Sequence, residues 1–243
     1  MIGLSLSGKV AMVTGAAGGL GAAIAEVFAE AGARLALVDL DEERLRRASP
    51  ARSVAADQPL LLAADVSDPL QVERVVTDAV AALGGVDVLV NNAGVDYTLP
   101  LIDLSVEQWQ RVLGVNLTGA FLFTRAVFPI MRDRGGGHIV NVASTAARRG
   151  WANATAYCAS KFGLVGFTQA LLVEGRPHNI RATVLVPGGM RTSFFDRLPE
   201  PPDPRNLQDP RAVAEVALFV VTRPPGSVVH EVLVCPPTET SWP

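Results

Sequence analysis

Tyr157 and Lys161 lie four residues apart, so on a helix their side chains share one face. A free phenol has a pKa near ~10 and is a poor base at neutral pH, but an ammonium beside it stabilises the phenolate. Such a pair can act as a general acid–base for an alcohol/ketone couple. Ser144 precedes the pair. Its hydroxyl could hold a substrate oxygen in an oxyanion-type role, or it could simply cap a loop. Lys9 and Lys161 are the only lysines among 21 basic residues, so an otherwise arginine-using chain keeps a compact ammonium at 161. A Tyr and Lys at this spacing are often surface residues, but the surrounding helix is small and apolar.

The elements that must position these groups alternate along the whole chain. Runs at 9–14, Arg34–Asp39, 60–64, 86–91, 138–142, 181–186 and 229–235 read as strands. Helical patterns occupy 20–31, 42–49, Pro69–Leu83, 156–173 and Pro210–Val221. A further helix begins after an N-cap at Ser105 and runs with interruptions toward Arg132. Gly32, Pro50 and Pro187 punctuate the pattern. Short apolar strands alternating with helices imply a parallel sheet covered on both faces. Right-handed crossovers make it an α/β Rossmann fold, a single doubly wound sheet of about seven strands. No composition shift marks a second domain, so 1–243 is read as one domain. Residues 188–209 are proline-rich and lack a period. Lying past a strand's carboxyl end, they are expected to form a substrate lid, with a passive surface loop as the alternative.

A glycine cluster, Thr14 to Gly21, separates the first strand from the first helix. Glycines there let the backbone turn tightly and approach a pyrophosphate, which the helix N-terminus then binds. Gly15, Gly19, Leu20 and Gly21 are the expected contacts. Asp39 ends the second strand, where a carboxylate can accept both ribose hydroxyls of NAD and repel the extra phosphate of NADP. It could instead cap the turn before Glu42. Leu40 follows it, and neither Leu40 nor Gly18 is basic, so NAD is favoured over NADP. Asp65 and Val66, after the third strand, could reach the adenine edge, although Asp65 could equally cap the helix at Pro69. Asn91 would tie its loop to neighbouring strands, and Asn92, Ala93 and Gly94 would let backbone pass close to the cofactor.

Taken in order, these motifs together with Tyr157-Cys158-Ala159-Ser160-Lys161 and Pro187-Gly188 resemble the short-chain dehydrogenase/reductase family over nearly the whole length. The resemblance implies hydride transfer between nicotinamide and a secondary alcohol or ketone. It implies that Ser144 and Tyr157 grip the substrate oxygen while Lys161 bonds the nicotinamide ribose. Asn116 would bend its helix and help hold a water beside the lysine. Pro187 and Gly188 would flank the nicotinamide, and Thr192 would bond its carboxamide. A homotetramer or homodimer is also implied, although the ending Cys235-Pro236-Pro237 and the tail through Trp242 depart from the family's usual Asp-Gly-Gly turn. Asp96, Tyr97, Arg148, Trp151, Asn153, Met190 and Phe194 are candidate substrate-pocket residues. Arg148, Arg149 and Arg191 could meet an anionic substrate.

Net charge of -3 argues against nucleic acid or an anionic membrane as partner. Cys158 and Cys235 make neither a disulfide framework nor a zinc spacing, and no metal is expected. His138, His178 and His230 read as surface or strand-end residues. With no basic leader and no stretch approaching transmembrane length, a soluble cytoplasmic protein is expected. The rival readings are an NADPH-preferring carbonyl reductase and a non-catalytic NAD(H)-binding redox sensor.

Overall fold

The computed structural model describes residues 4–50, 58–196, 198 and 200–239. Seven parallel strands form one sheet in the order β3-β2-β1-β4-β5-β6-β7. They are β1 (Val10–Thr14), β2 (Arg34–Asp39), β3 (Leu60–Ala63), β4 (Val88–Asn91), β5 (Gly137–Val142), β6 (Ile180–Pro187) and β7 (Glu231–Val234). The helices are α1 (Gly19–Glu30), α2 (Glu42–Ala48), α3 (Pro69–Leu83), α4 (Val106–Leu113), α5 (Gly119–Asp133), α6 (Thr155–Gly175) and α7 (Pro210–Val221). Alternation along a strand decides the layers. Ala11 and Val13 of β1 pack with α1 and α7 on one face, while Met12 packs with α3 and α5 on the other. β1 pairs with β2 on one side and β4 on the other. The chain therefore reverses its direction of travel across the sheet there, opening a crevice at the strands' carboxyl ends.

Local chemistry sets the helix boundaries. Ser105 caps α4 in a reciprocal capping box with Gln108. Asp68, not Asp65, caps α3 ahead of Pro69. The long helix expected from Ser105 toward Arg132 is divided by a π turn at Gly114–Thr118. The loop at 188–209 contains two 3₁₀ turns, Ser193–Phe195 and Pro204–Asn206. Its two ends are joined by a bridge between Met190 and Gln208.

Two expectations are corrected. His138 is not at the surface: it lies buried in β5, its Nε2 2.8 Å from Thr183 Oγ1. Burial, with Arg181 nearby, lowers its pKa to about 3. Only the strand pairing His138↔Arg181 and the helices above reveal that depth. Second, Val106–Asp133 and Thr155–His178 are long and apolar enough to span a bilayer by length and composition. The π turn joins α4 and α5 without a break, which makes the first of them long. In the fold both helices lay Phe123, Val127, Met131, Leu164 and Leu171 into the core.

Candidate active site

A cleft of about 530 Å³ runs along the carboxyl edge of the sheet. Its floor is the turn from β1 into α1. A Cβ on Gly15 would lie 2.8 Å from Ala93 Cα, and one on Gly21 would strike the Gly15 carbonyl. Gly15 also has φ +66° and Gly19 φ +53°, which L side chains rarely adopt. Asn92 locks the turn from the far strand, its Nδ2 donating to the carbonyls of Thr14 (3.0 Å) and Gly15 (3.2 Å). Thr14 Oγ1 accepts from the backbone N–H of Asn92 and Ala93. Asn91 ties β4 to its neighbour as expected, donating to Asn141 Oδ1 at 2.8 Å. This is a side-chain-free cradle at a helix N-terminus, which fits a pyrophosphate.

Asp39 stands at one end of the cleft, fixed by backbone. Its Oδ2 accepts from Ala17 N–H at 2.9 Å and its Oδ1 from Leu40 N–H at 2.8 Å. Asp41, not Asp39, caps α2. Leu40, Asp65 and Val66 line the same end. The Asp65 carboxylate is held by Ser67 and, at 2.6 Å, by the Arg111 guanidinium. These bonds hold its pKa below the ordinary carboxylate value against the opposing effect of burial. Arg44 and Arg111 also line the cleft, and the sequence reading missed both. The Arg44 guanidinium comes 3.7 Å from where a Gly18 Cβ would stand. No strand-end motif marks either arginine; their approach depends on how α2 and α4 pack.

At the other end, Ser144, Trp151, Tyr157, Lys161, Pro187, Gly188, Met190, Thr192 and Phe194 face the cleft. Tyr157 and Lys161 project from α6, and Lys161 Nζ sits 5.6 Å from the Tyr157 ring centroid while donating to the Val142 carbonyl at 2.8 Å. Burial pushes the Tyr157 phenol above its ordinary pKa. A hydrogen bond shared with Ser144 opposes the rise, and Asp96 and Cys158 add to it. Burial also lowers Lys161 to about 8. Within the protein alone, desolvation of the phenol outweighs the hydrogen bond to Ser144 that would lower it. Phe194 packs on Tyr157 with centroids 5.6 Å apart. Thr192 methyl lies 3.4 Å from a Cβ placed on Gly19, bringing the loop after β6 onto the glycine turn.

Asn116 lies below this end, in the π turn. Its Oδ1 accepts from Val95 N–H, and its Nδ2 donates to Val95 O and to Ser160 Oγ. Gly94 separates Asn116 from Lys161: a Cβ there would lie 3.5 Å from Asn116 Oδ1 and 3.6 Å from Lys161 Nζ. Gly21, Asp96, Tyr97, Arg148 and Asn153 do not line the cleft. Asp96 is buried behind it, accepting from Thr98 Oγ1 at 2.7 Å. Arg148 is ion-paired with Glu231, and Arg191 with Asp209 while donating to Leu207 O. Neither arginine is placed to meet an anion in the cleft. Trp242 lies outside the described residues. Among the described residues no group of three or more metal-ligating side chains occurs.

The model of the short chain dehydrogenase family matches residues 9–203, so the chain belongs to that family. Among curated relatives, D-threitol dehydrogenase of Mycolicibacterium smegmatis is 42% identical over 182 residues, 75% of this chain and 70% of that protein. The NAD(+)-dependent 2-dehydro-3-deoxy-L-rhamnonate dehydrogenase of a Sphingomonas species is 40% identical over 196 residues, 80% of this chain and 77% of that protein. A metagenomic short-chain oxidoreductase solved with NADP is 35% identical, with a TM-score of 0.83 over 95% of this chain and 98% of its own. The chain is thus an oxidoreductase of this family, using a pyridine nucleotide and acting on small molecules.

Proposed function

We propose that the protein is an NAD(H)-dependent dehydrogenase that interconverts a secondary alcohol and its ketone. The observation that carries this reading is the meeting of Ser144, Tyr157 and Lys161 in one cleft with the glycine turn and a backbone-fixed Asp39. When bound, nicotinamide would supply the hydride-accepting and hydride-donating chemistry and, oxidised, a positive charge near the phenol. Ser144 and Tyr157 hold the substrate oxygen, with Ser144 orienting the phenol. Tyr157 takes the hydroxyl proton during oxidation and returns it during reduction. Lys161 would bond the nicotinamide ribose and, together with the charge of the oxidised nicotinamide, favour the phenolate. Asn116 holds the π turn against Val95 and Ser160, positioning the lysine's surroundings for proton relay through water. Pro187, Gly188 and Thr192 support the nicotinamide end, and Asp39 takes the adenosine ribose hydroxyls. The segment 188–209 acts as a lid that presents Met190 and Phe194 to the cleft opposite Trp151.

The relatives' names direct the substrate search toward small polyhydroxylated alcohols and the matching ketones. Exposed apolar residues on α4 to α6, including Trp109, Phe121 and Phe162, support assembly as a homodimer or homotetramer. Cys158 and Cys235 are free, which fits a reducing, cytoplasmic setting. The test is nicotinamide absorbance with NAD and NADP across polyols, secondary alcohols and ketones. Turnover that disappears in Tyr157→Phe, with cofactor binding intact, is the expected result. Tight NADH binding without turnover on any of them would favour a sensor.

A second reading, preference for NADPH, is favoured by Arg44, whose guanidinium reaches over Gly18 beside Asp39. Dissociation constants for NADH and NADPH separate the two readings. Tighter NADPH binding by the unaltered protein would overturn the role given to Asp39.

A further inference from the structure

The chain after β7 folds back onto the base of the loop that follows β6. A turn closes where Glu239 N–H donates to Pro236 O at 3.0 Å. The Glu239 carboxylate then accepts from Gly189 N–H at 2.9 Å, across a sequence separation of 50. Space at this contact is fully used. A Cβ on Gly188 would lie 2.5 Å from Glu239 Oε2 and 2.9 Å from Cys235 Sγ, and one on Gly189 would lie 2.7 Å from Leu207 Cδ2.

The other face of the same strip is fastened separately. Gly189 O accepts from Gln208 N–H at 3.0 Å, Gln208 O accepts from Arg191 N–H at 2.9 Å, and Gln208 Nε2 donates to Val234 O at 2.8 Å. Gly188 N–H donates to Val234 O at 2.8 Å. Gly189 therefore has its carbonyl held by the far end of the loop and its N–H held by the C-terminal tail. Directly beyond it come Met190, Thr192 and Phe194, which line the cleft. A glycine strip has wide backbone freedom, and a charge-assisted bond to its N–H is a strong way to remove that freedom.

We propose that Glu239 is a positioning residue for the nicotinamide and substrate end of the cleft. Its carboxylate holds the Gly188–Gly189 strip so that Met190, Thr192 and Phe194 present to cofactor and substrate. The inference rests on the dinucleotide reading of the cleft. The adenosine end, built on Asp39 and the glycine turn, does not depend on this clamp.

The experiment compares the full chain with its Glu239→Ala and Glu239→Gln variants, using NADH and ADP-ribose as probes. Glu239→Ala is expected to weaken NADH binding about tenfold and raise substrate KM, with kcat at saturation changed less and ADP-ribose binding unchanged. Glu239→Gln keeps a carbonyl acceptor at similar reach and should restore most of the loss. Trypsin should cut at Arg191 or Arg205 faster in the Ala variant than in the Gln variant. Equal NADH affinity in wild type and Glu239→Ala would overturn the proposal. So would equal loss of NADH and ADP-ribose, which marks a general folding defect, or a Gln variant as impaired as Ala. If the unaltered protein bound neither probe, the dinucleotide reading itself would fall.

Discussion

At the end of the cleft proposed for adenosine, three strands' carboxyl ends form most of the wall: the glycine turn after β1, Asp39 closing β2, and Asp65-Val66 after β3, with Arg44 and Arg111 reaching in from α2 and α4. At the substrate end the walls come from segments far apart in sequence: Ser144, Trp151, the Tyr157–Lys161 pair, and the loop after β6, itself held by Glu239. The first end is made largely of backbone, with Asp39 fixed by two N–H groups. The second is made of side chains whose properties depend on burial. Tyr157 and Lys161 are both displaced from their ordinary pKa by desolvation. The first end thus presents backbone, the second enclosed side chains.

The largest expected effect separates these two ends. Tyr157→Phe should lower kcat by about 10²- to 10⁴-fold, while NADH affinity, measured by fluorescence titration, stays within about twofold. A comparable loss of affinity would show that the two ends are not separable. At the adenosine end, Asp39→Asn should shift the NADPH-to-NADH affinity ratio upward by about tenfold, or ~1.4 kcal/mol. Arg44→Ala should move the same ratio the other way. If Arg44→Ala weakens both cofactors equally, the arginine reads a shared feature of the two rather than the extra phosphate.

A third effect belongs to neither end. His138 is buried and neutral, with its pKa lowered from 6.5 to about 3. Below pH 6.5 the unfolded chain takes up a proton that the folded chain refuses, so stability falls as pH drops from about 6.5 toward 3. The slope should approach ~1.4 kcal/mol per pH unit. Urea unfolding at pH 7, 6 and 5 should show a slope that steepens toward this value in wild type and stays flatter in His138→Gln. An unchanged slope in the variant would remove His138 as its source. The smallest effect is expected at Arg148 and Arg191, whose guanidiniums are already paired with Glu231 and Asp209. Replacing either with Ala should change KM for a carboxylate-bearing substrate by less than about twofold, and a tenfold rise would restore the anionic-substrate reading.

Legibility followed the same division. The strand–helix alternation, the doubly wound sheet and the capping residue Ser105 could be read directly, because period and cap chemistry are local signals. Positions 15, 39, 144, 157 and 161 fell into one cleft because the fold gathers strand ends along one edge. Arg44, Arg111 and Glu239 could not be read, since each reaches its place by packing across tens of residues. The depth of His138 was hidden too, and the bend expected at Asn116 was legible only through the family resemblance, not its π-turn form. Both depths depend on neighbours, Thr183 for His138 and Val95 and Ser160 for Asn116.

By itself, the sequence determined the alternation of elements, the parallel sheet, the glycine turn and the placing of Tyr157 and Lys161 on one helix face. Those follow from side-chain period, backbone freedom at glycine and i, i+4 spacing, all of which act within a few residues. Only the tertiary structure decided which groups share an environment. It set Asp39 on the Ala17 amide, took Asp96 out of the cleft wall, tied Arg148 and Arg191 away from it, and brought the tail carboxylate to Gly189. The reason is physical: burial, desolvation and hydrogen bonding across long separations depend on distances in space that no short-range pattern encodes.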